Sequence, residues 1–224
     1  MICGAIFDMD GTLLDSMPFW IHAGERYLRK LGAEPEERLG RTLLSMSMEE
    51  GAEYLRRRYL PSRSCGEIVR GINSILADAY ASQVPLKDGA REFLLEWKRR
   101  GIPVALATAT DRGLFAPALR RLSLDGLFDA VLTCSECRTS KSKPDIYFRA
   151  AQALGTEAAE TIVFEDALVP VRTAAGAGFI VAGVQDAASA ADAAEIKRLC
   201  QFYIEEFRSF DWSRLEVREK EGGR

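Results

Sequence analysis

The sequence contains a single histidine, His22, among 224 residues. Its five cysteines, Cys3, Cys65, Cys134, Cys137 and Cys200, are odd in number and scattered, which argues against a disulfide framework. Cys134 and Cys137 form a C-x-x-C. A zinc site would want a second Cys or His pair, and one histidine cannot supply it. A redox pair would usually have a helix N-terminus behind it, so a structural role is expected for both thiols. Long hydrophobic runs are also missing, and none approaches the ~20 residues that a membrane span needs. The apolar start, Met1 to Phe7, has no basic flank and stops at Asp8, so no signal peptide is read and a cytoplasmic location is expected. Charge of one sign is lacking as well. Thirty basic residues face 33 acidic ones, for a net charge of −3, which gives no general pull toward nucleic acid or anionic membrane. Arg56, Arg57 and Arg58 form a short basic run, but Glu49, Glu50 and Glu53 flank it and point to a solvated helix face. Internal repeats are absent.

What is present suits a packed soluble core: 47% of residues are hydrophobic and 28% charged. The length fits one domain with an insertion, or two small domains. Ile2–Phe7, Pro103–Ala107, Ala130–Thr133, Thr161–Phe164 and Phe179–Val184 are continuous apolar runs, as expected of strands buried on both faces of a parallel sheet. Helical stretches alternate with them: Gly89–Arg100, Gly113–Leu122, Asp145–Leu154 and Leu168–Ala177. Gly101, Gly155 and Gly178 stand where C-terminal caps belong. This alternation predicts an α/β fold with a doubly wound, Rossmann-like parallel sheet.

One stretch breaks the rhythm. Residues 16–84 carry no strand signal, and Trp20–Leu31, Met48–Tyr59 and Gly66–Ser82 read as helices. The expected organisation is a core of residues 1–15 and 85–224 with a helical cap, 16–84, inserted after the first strand. Two short connections around one insertion suggest a hinged cap. Ala187–Ala194 reads as a helix start, and 216–224 as a frayed end.

In an open α/β sheet, ligands bind beyond the carboxyl ends of the strands. The first strand ends in Asp8-Met9-Asp10-Gly11-Thr12, the second in Thr108-Ala109-Thr110 and the fourth in Glu165-Asp166. After the third comes Lys141-Ser142-Lys143-Pro144-Asp145. Asp8 and Asp166 would crowd like charges, which raises one pKa unless a cation intervenes. Mg²⁺ favours such a site, with one or two carboxylates plus phosphate and water. The expected metal residues are Asp8, Asp10, Glu165 and Asp166. The set suits phosphoryl transfer: Asp8 attacks phosphorus, and Mg²⁺ with a lysine neutralises the non-bridging oxygens. Thr108 and the amides of Met9 and Asp10 can hold those oxygens. Asp10 can protonate the leaving oxygen and then activate water. Gly11 allows the tight turn behind the aspartates.

On these residues the chain resembles the haloacid dehalogenase superfamily, in the branch with a helical cap after the first motif. Phe7-Asp8-Met9-Asp10-Gly11-Thr12 matches its D-x-D-G-T signature, Thr108 its second motif and Glu165-Asp166 its acidic fourth motif. The third motif departs from the usual G-K-P-x-P-D. Anchoring on Pro144-Asp145-Ile146-Tyr147 makes Lys141 the motif lysine, with Lys143 as rival. Ala167 and Pro170 depart from the serine and glycine common in the fourth.

The resemblance implies phosphoryl chemistry, because dehalogenases lack an acid at the Asp10 position and P-type ATPases typically carry threonine there. It implies a phosphatase, Mg²⁺-dependent, acting on a small phosphorylated metabolite. The alternative is a mutase of the β-phosphoglucomutase type. That mutase's cap carries a histidine, an arginine and a lysine, where Trp20, Met48 and Ile72 stand here. A second substrate phosphate wants fixed cations, so their loss favours hydrolysis. His22 lies two residues from Trp20 and is rotated off its helix face. Trp20, Thr110 and Arg112 are the expected substrate contacts, and Met17, Phe19, Met46 and Met48 are candidates for an apolar cap lining.

Overall fold

The computed structural model describes residues 1–44, 46 and 48–216, with Leu44 described in its backbone only. Two compact units divide it. One takes Met1–Asp15 and the chain from Pro85 onward; the other is Ser16–Val84. After β1 (Gly4–Phe7) come α1 (Met17–Lys30), α2 (Leu39–Leu44), α3 (Met48–Arg58) and α4 (Cys65–Ser82). Next follow α5 (Ala90–Arg99), β2 (Val104–Thr108), α6 (Arg112–Arg121), β3 (Ala130–Thr133), the one-turn α7 (Cys134–Cys137) and α8 (Asp145–Leu154). The described chain closes with β4 (Thr161–Glu165), α9 (Leu168–Gly176), β5 (Ile180–Val184), α10 (Ala193–Leu199) and β6 (Phe202–Ile204), joined and followed by short 3₁₀ turns.

The six strands form one parallel sheet in the order β3-β2-β1-β4-β5-β6. Every residue of β1, β2 and β4 is buried. Helices cover both faces, which is why these strands are apolar throughout instead of alternating. From β1 the chain winds outward through β2 and β3, then returns to β1's other side for β4, β5 and β6. β1 is thus the switch point of the winding, the place where a doubly wound sheet opens a crevice at its strand ends.

Gly101, Gly155 and Gly178 all adopt positive φ just past their helices, as the sequence predicts. Three elements go beyond the sequence reading. β6 has only three residues, two of them half-buried, and α2 only six, both too short to establish a hydrophobic period. α7 is the third: the C-x-x-C forms a single turn capped by the Thr133 hydroxyl, with both thiols free and buried.

In the helical unit, α4 opens with a reciprocal capping box between Ser64 and Glu67. It buries Ile68, Ile72, Leu76 and Tyr80, an unbroken four-residue spacing along one face. Gly71 lets α1 come close: a Cβ there would sit 2.1 Å from the Tyr27 ring. Arg56 and Arg57 pair with Glu53, and Arg58 with Glu36, so the basic run is a solvated helix face. Among the described residues no helix is long and apolar enough to cross a membrane.

Candidate active site

The pairing of β1 with β4 builds the site. Phe7 sits beside Phe164 in register, their rings stacked at 4.2 Å. The next residue on each strand is then also a neighbour, so Asp8 meets Glu165. The Asp8 amide donates to the Phe164 carbonyl at 3.0 Å and fixes the start of the turn. Gly11, at φ 80°, tightens that turn, and its amide donates to the Leu14 carbonyl at 2.9 Å.

Asp8, Glu165 and Asp166 each bring one carboxylate oxygen within 4.8 Å of the others, and all three residues are buried. Lys141 enters from the loop before α8. Its ammonium, on a side chain only 9% exposed, donates to Asp8 Oδ1 and, at 2.6 Å, to Glu165 Oε1. Lys143 is exposed, so of the two lysines Lys141 is the one that meets the carboxylates. Two hydroxyls complete the group. Tyr147 donates to Glu165 Oε1 at 2.7 Å, and Thr12 to Asp166 Oδ1 at 3.3 Å.

Electrostatically the cluster is poised for a cation. Burial pushes the Glu165 carboxyl up to about 8, the Asp8 charge adds to the rise, and Lys141 and Tyr147 only partly oppose it. Asp166 is held well above the usual carboxylate range by burial, then by Asp8, Glu165 and Asp186. Burial alone would lower the Lys141 pKa, but the Asp8 and Glu165 carboxylates overcome it and hold the ammonium above the ordinary lysine range. Three converging carboxylates face one ammonium. A hard divalent ion with a preference for oxygen ligands fits this donor set.

Asp10 is not part of that group. Its Oδ2 accepts from the Thr110 hydroxyl at 2.6 Å. Thr110 in turn donates its amide to the buried Thr108 Oγ1 at 3.0 Å, so β2's end holds Asp10 through one short chain of contacts. The structure does not bring Arg112 to the strand-end cluster. A bidentate pair with Glu136, at 2.7 and 2.8 Å, holds its guanidinium, together with the Val131 carbonyl. In the helical unit, Trp20 donates its ring N–H to the Tyr80 hydroxyl at 2.9 Å. Trp20, Met48 and Ile72 line one apolar cavity, as Met46 does. His22 is half-exposed and paired with Glu25.

The sequence reading missed Tyr147, although it lies within the anchor used to place Lys141. It also missed Asp186, two residues past β5, whose buried carboxylate pairs with Lys87 Nζ at 2.9 Å. Reading the end of the fifth strand as closely as the others would have found Asp186.

Comparison with known proteins identifies the family. The sequence pattern of the haloacid dehalogenase-like hydrolases matches residues 3–178. The chain belongs to the haloacid dehalogenase-like hydrolases. Within that family it is 32% identical to hexitol phosphatase B of Escherichia coli over 171 residues, 75% of this chain and 76% of the relative. It is 29% identical to a phosphorylated carbohydrates phosphatase of Thermotoga maritima over 173 residues, 77% of this chain and 80% of the other. Among solved structures, CbbY from Rhodobacter sphaeroides in complex with phosphate superposes with a TM-score of 0.78 at 23% identity, covering 93% of this chain and 96% of that one. That likeness is one of fold.

Proposed function

We propose that this haloacid dehalogenase-like hydrolase is a Mg²⁺-dependent phosphatase that hydrolyses small phosphomonoesters through an aspartyl-phosphate on Asp8. The observation that carries the reading is the convergence of Asp8, Glu165, Asp166 and Lys141 at the switch point of the sheet. Its relatives are named for the hydrolysis of carbohydrate and hexitol phosphates.

An Asp8 oxygen attacks phosphorus while the bond to the leaving oxygen breaks. Asp10, oriented by Thr110, gives its proton to that leaving oxygen. Asp10 then takes a proton from water as the water attacks phosphorus, the bond to Asp8 breaks, and inorganic phosphate leaves with Asp8 restored. Lys141 and the Thr108 hydroxyl neutralise or hold the non-bridging oxygens as charge spreads over them. Asp8, Glu165 and Asp166 would hold Mg²⁺, which supplies further neutralisation of those oxygens. The β-phosphoglucomutase alternative asks for fixed cations on the substrate's second phosphate, and Trp20, Met48 and Ile72 offer none. The deciding experiment is phosphate release from a panel of phosphomonoesters with Mg²⁺ and with chelator. Metal-dependent release supports the reading, and no release from any ester in either condition overturns it.

Two further outcomes are expected. Tyr147→Phe removes the hydroxyl that orients Glu165. The half-saturating Mg²⁺ concentration should rise by about 10- to 100-fold, the range typical of lost contacts behind a metal ligand. Turnover should recover at high Mg²⁺, and a metal titration of kcat reads this directly.

The second outcome concerns pH in the presence of chelator. Glu165 has a folded pKa of about 8, above its ordinary value of 4.5, so the folded state holds a proton that the unfolded chain has released. That contribution is complete below about pH 4.5 and is lost as pH rises through 8, with a slope of at most about 1.4 kcal/mol per pH unit for one proton. Melting temperature in chelator should therefore fall from pH 5 to pH 8, and the stabilisation by Mg²⁺ should widen over the same window. A constant gap would contradict it.

A further inference from the structure

The strand ends carry a further buried carboxylate that the proposed chemistry does not use. Asp186 lies two residues past β5, and its side chain is 5% exposed. It stands outside the trio of Asp8, Glu165 and Asp166 whose oxygens converge. β4 and β5 run parallel with Glu165 beside Gly183, so Asp166 and Asp186 leave adjacent strands at the same edge of the sheet. Parallel neighbours lie about 4.8 Å apart. The Asp186 charge is felt at Asp166, where it pushes the carboxyl up more than Lys141 pulls it down.

Asp186 is firmly held. Lys87 Nζ donates to Asp186 Oδ2 at 2.9 Å and to the Gln185 carbonyl at 2.5 Å. The Ala188 amide donates to Asp186 Oδ1 at 2.8 Å, so the carboxylate also caps the 3₁₀ turn that follows. The Lys87 amide donates to the Leu13 carbonyl, and the Leu13 amide to the Met9 carbonyl, each at 2.9 Å. Lys87 thus ties the loop after β5 to the turn that carries Asp8 and Asp10. Capping alone does not ask for a charge here, because serine or asparagine caps as well as aspartate. A buried ion pair is weak evidence for stability, and one more acid beside three carboxylates adds repulsion among them. A divalent cation reverses that sign. It gains from every nearby carboxylate, and buried charges are screened far less than exposed ones.

We infer that Asp186 is a positioning residue of the metal site, whose charge beside Asp166 strengthens the hold on a divalent cation and weakens the hold on phosphate, with Lys87 fixing it in place. The inference rests on the Mg²⁺ reading given under the proposed function and adds a residue that acts through Asp166 without ligating the ion. The same charge favours release of the inorganic phosphate that the reaction forms.

Asp186→Asn keeps the shape and the capping oxygen and removes the charge. Two dissociation constants are measured by calorimetry on the full chain: that of Mg²⁺ on metal-free protein, and that of inorganic phosphate at saturating Mg²⁺. The Mg²⁺ constant should rise by about 10-fold, the low end of the range for a residue lost behind a metal ligand. The phosphate constant should fall. Opposite signs are the mark of a charge, whereas a loosened loop weakens both ligands. A rise in both constants therefore overturns the inference, as does either constant left unaltered. Asp186→Ser also caps without a charge and should repeat the result, which keeps the test open if the asparagine variant fails to melt cooperatively. Asp186→Glu restores the charge and should return the Mg²⁺ constant toward that of the unaltered chain. Absence of Mg²⁺ binding by the unaltered chain sinks the metal reading and this inference together. Normal Mg²⁺ binding by the unaltered chain, with the same constants in the variant, overturns this inference alone and leaves the phosphatase reading to the release assay.

Discussion

Asp8→Asn is expected to abolish phosphate release while leaving the protein folded. The amide is nearly isosteric with the carboxylate, and the backbone contact that anchors residue 8, from its amide to the Phe164 carbonyl at 3.0 Å, does not involve the side chain. What is lost is the nucleophile: an amide oxygen does not form the acyl-phosphate on which the second half of the reaction depends. Removing a covalent nucleophile from a concerted catalytic group lowers kcat on the order of 10⁴- to 10⁶-fold. The check pairs an assay for released phosphate with far-ultraviolet circular dichroism. Substantial residual turnover by a folded variant would show that another group attacks phosphorus.

Lys141→Ala should be the next most damaging change, and it should act on both rate and stability. The lysine touches Asp8 and Glu165 at once on a side chain only 9% exposed. Without it, two buried carboxylates lose the cationic partner they share among the described residues. Breaking a buried pair in this way destabilises by about 3–5 kcal/mol, part of which Mg²⁺ should restore. The rate loss should persist in excess Mg²⁺, because the ammonium that meets the transferring phosphoryl group is gone. A preorganised donor of that kind is worth about 10²- to 10³-fold. Lys143→Ala changes an exposed side chain and should fall within about 0.5 kcal/mol and leave kcat/KM nearly unaltered. Measuring kcat/KM and melting temperature for the pair decides the matter, and the opposite ranking would move the catalytic role to Lys143.

The sequence carried the sheet well because β1, β2 and β4 are buried on both faces and so read as uninterrupted apolar runs. It carried the carboxylates for a related reason. Charged residues directly after such runs have nowhere to lie except at the strand ends. Contacts that depend on side-chain reach were less legible. Tyr147 looks in sequence like any aromatic on a helix, and only its position opposite Glu165 makes it a partner. Arg112 is the opposite case. It follows the second motif by a few residues, but Glu136 on α7 offers it a bidentate partner, and α7 was itself too short to be foreseen. In the helical unit, the methionines read as a candidate lining, but their convergence with Leu43, Leu55 and Ile72 depends on how three helices cross, which periodicity does not encode.

The stacked pair Phe7 and Phe164 acts as an alignment mark between two distant stretches of chain. If β1 slid by one residue against β4, Asp8 would turn to the opposite face of the sheet. A slide of two would keep the faces but displace the carboxylate by about 6.6 Å, too far to share an ion with Glu165. Either error also pulls two aromatic rings out of contact in the middle of the core. A misaligned chain is therefore penalised in its interior before its chemistry is tested. Folded molecules with a scrambled reaction centre should be scarce, because the same interlock measures out both.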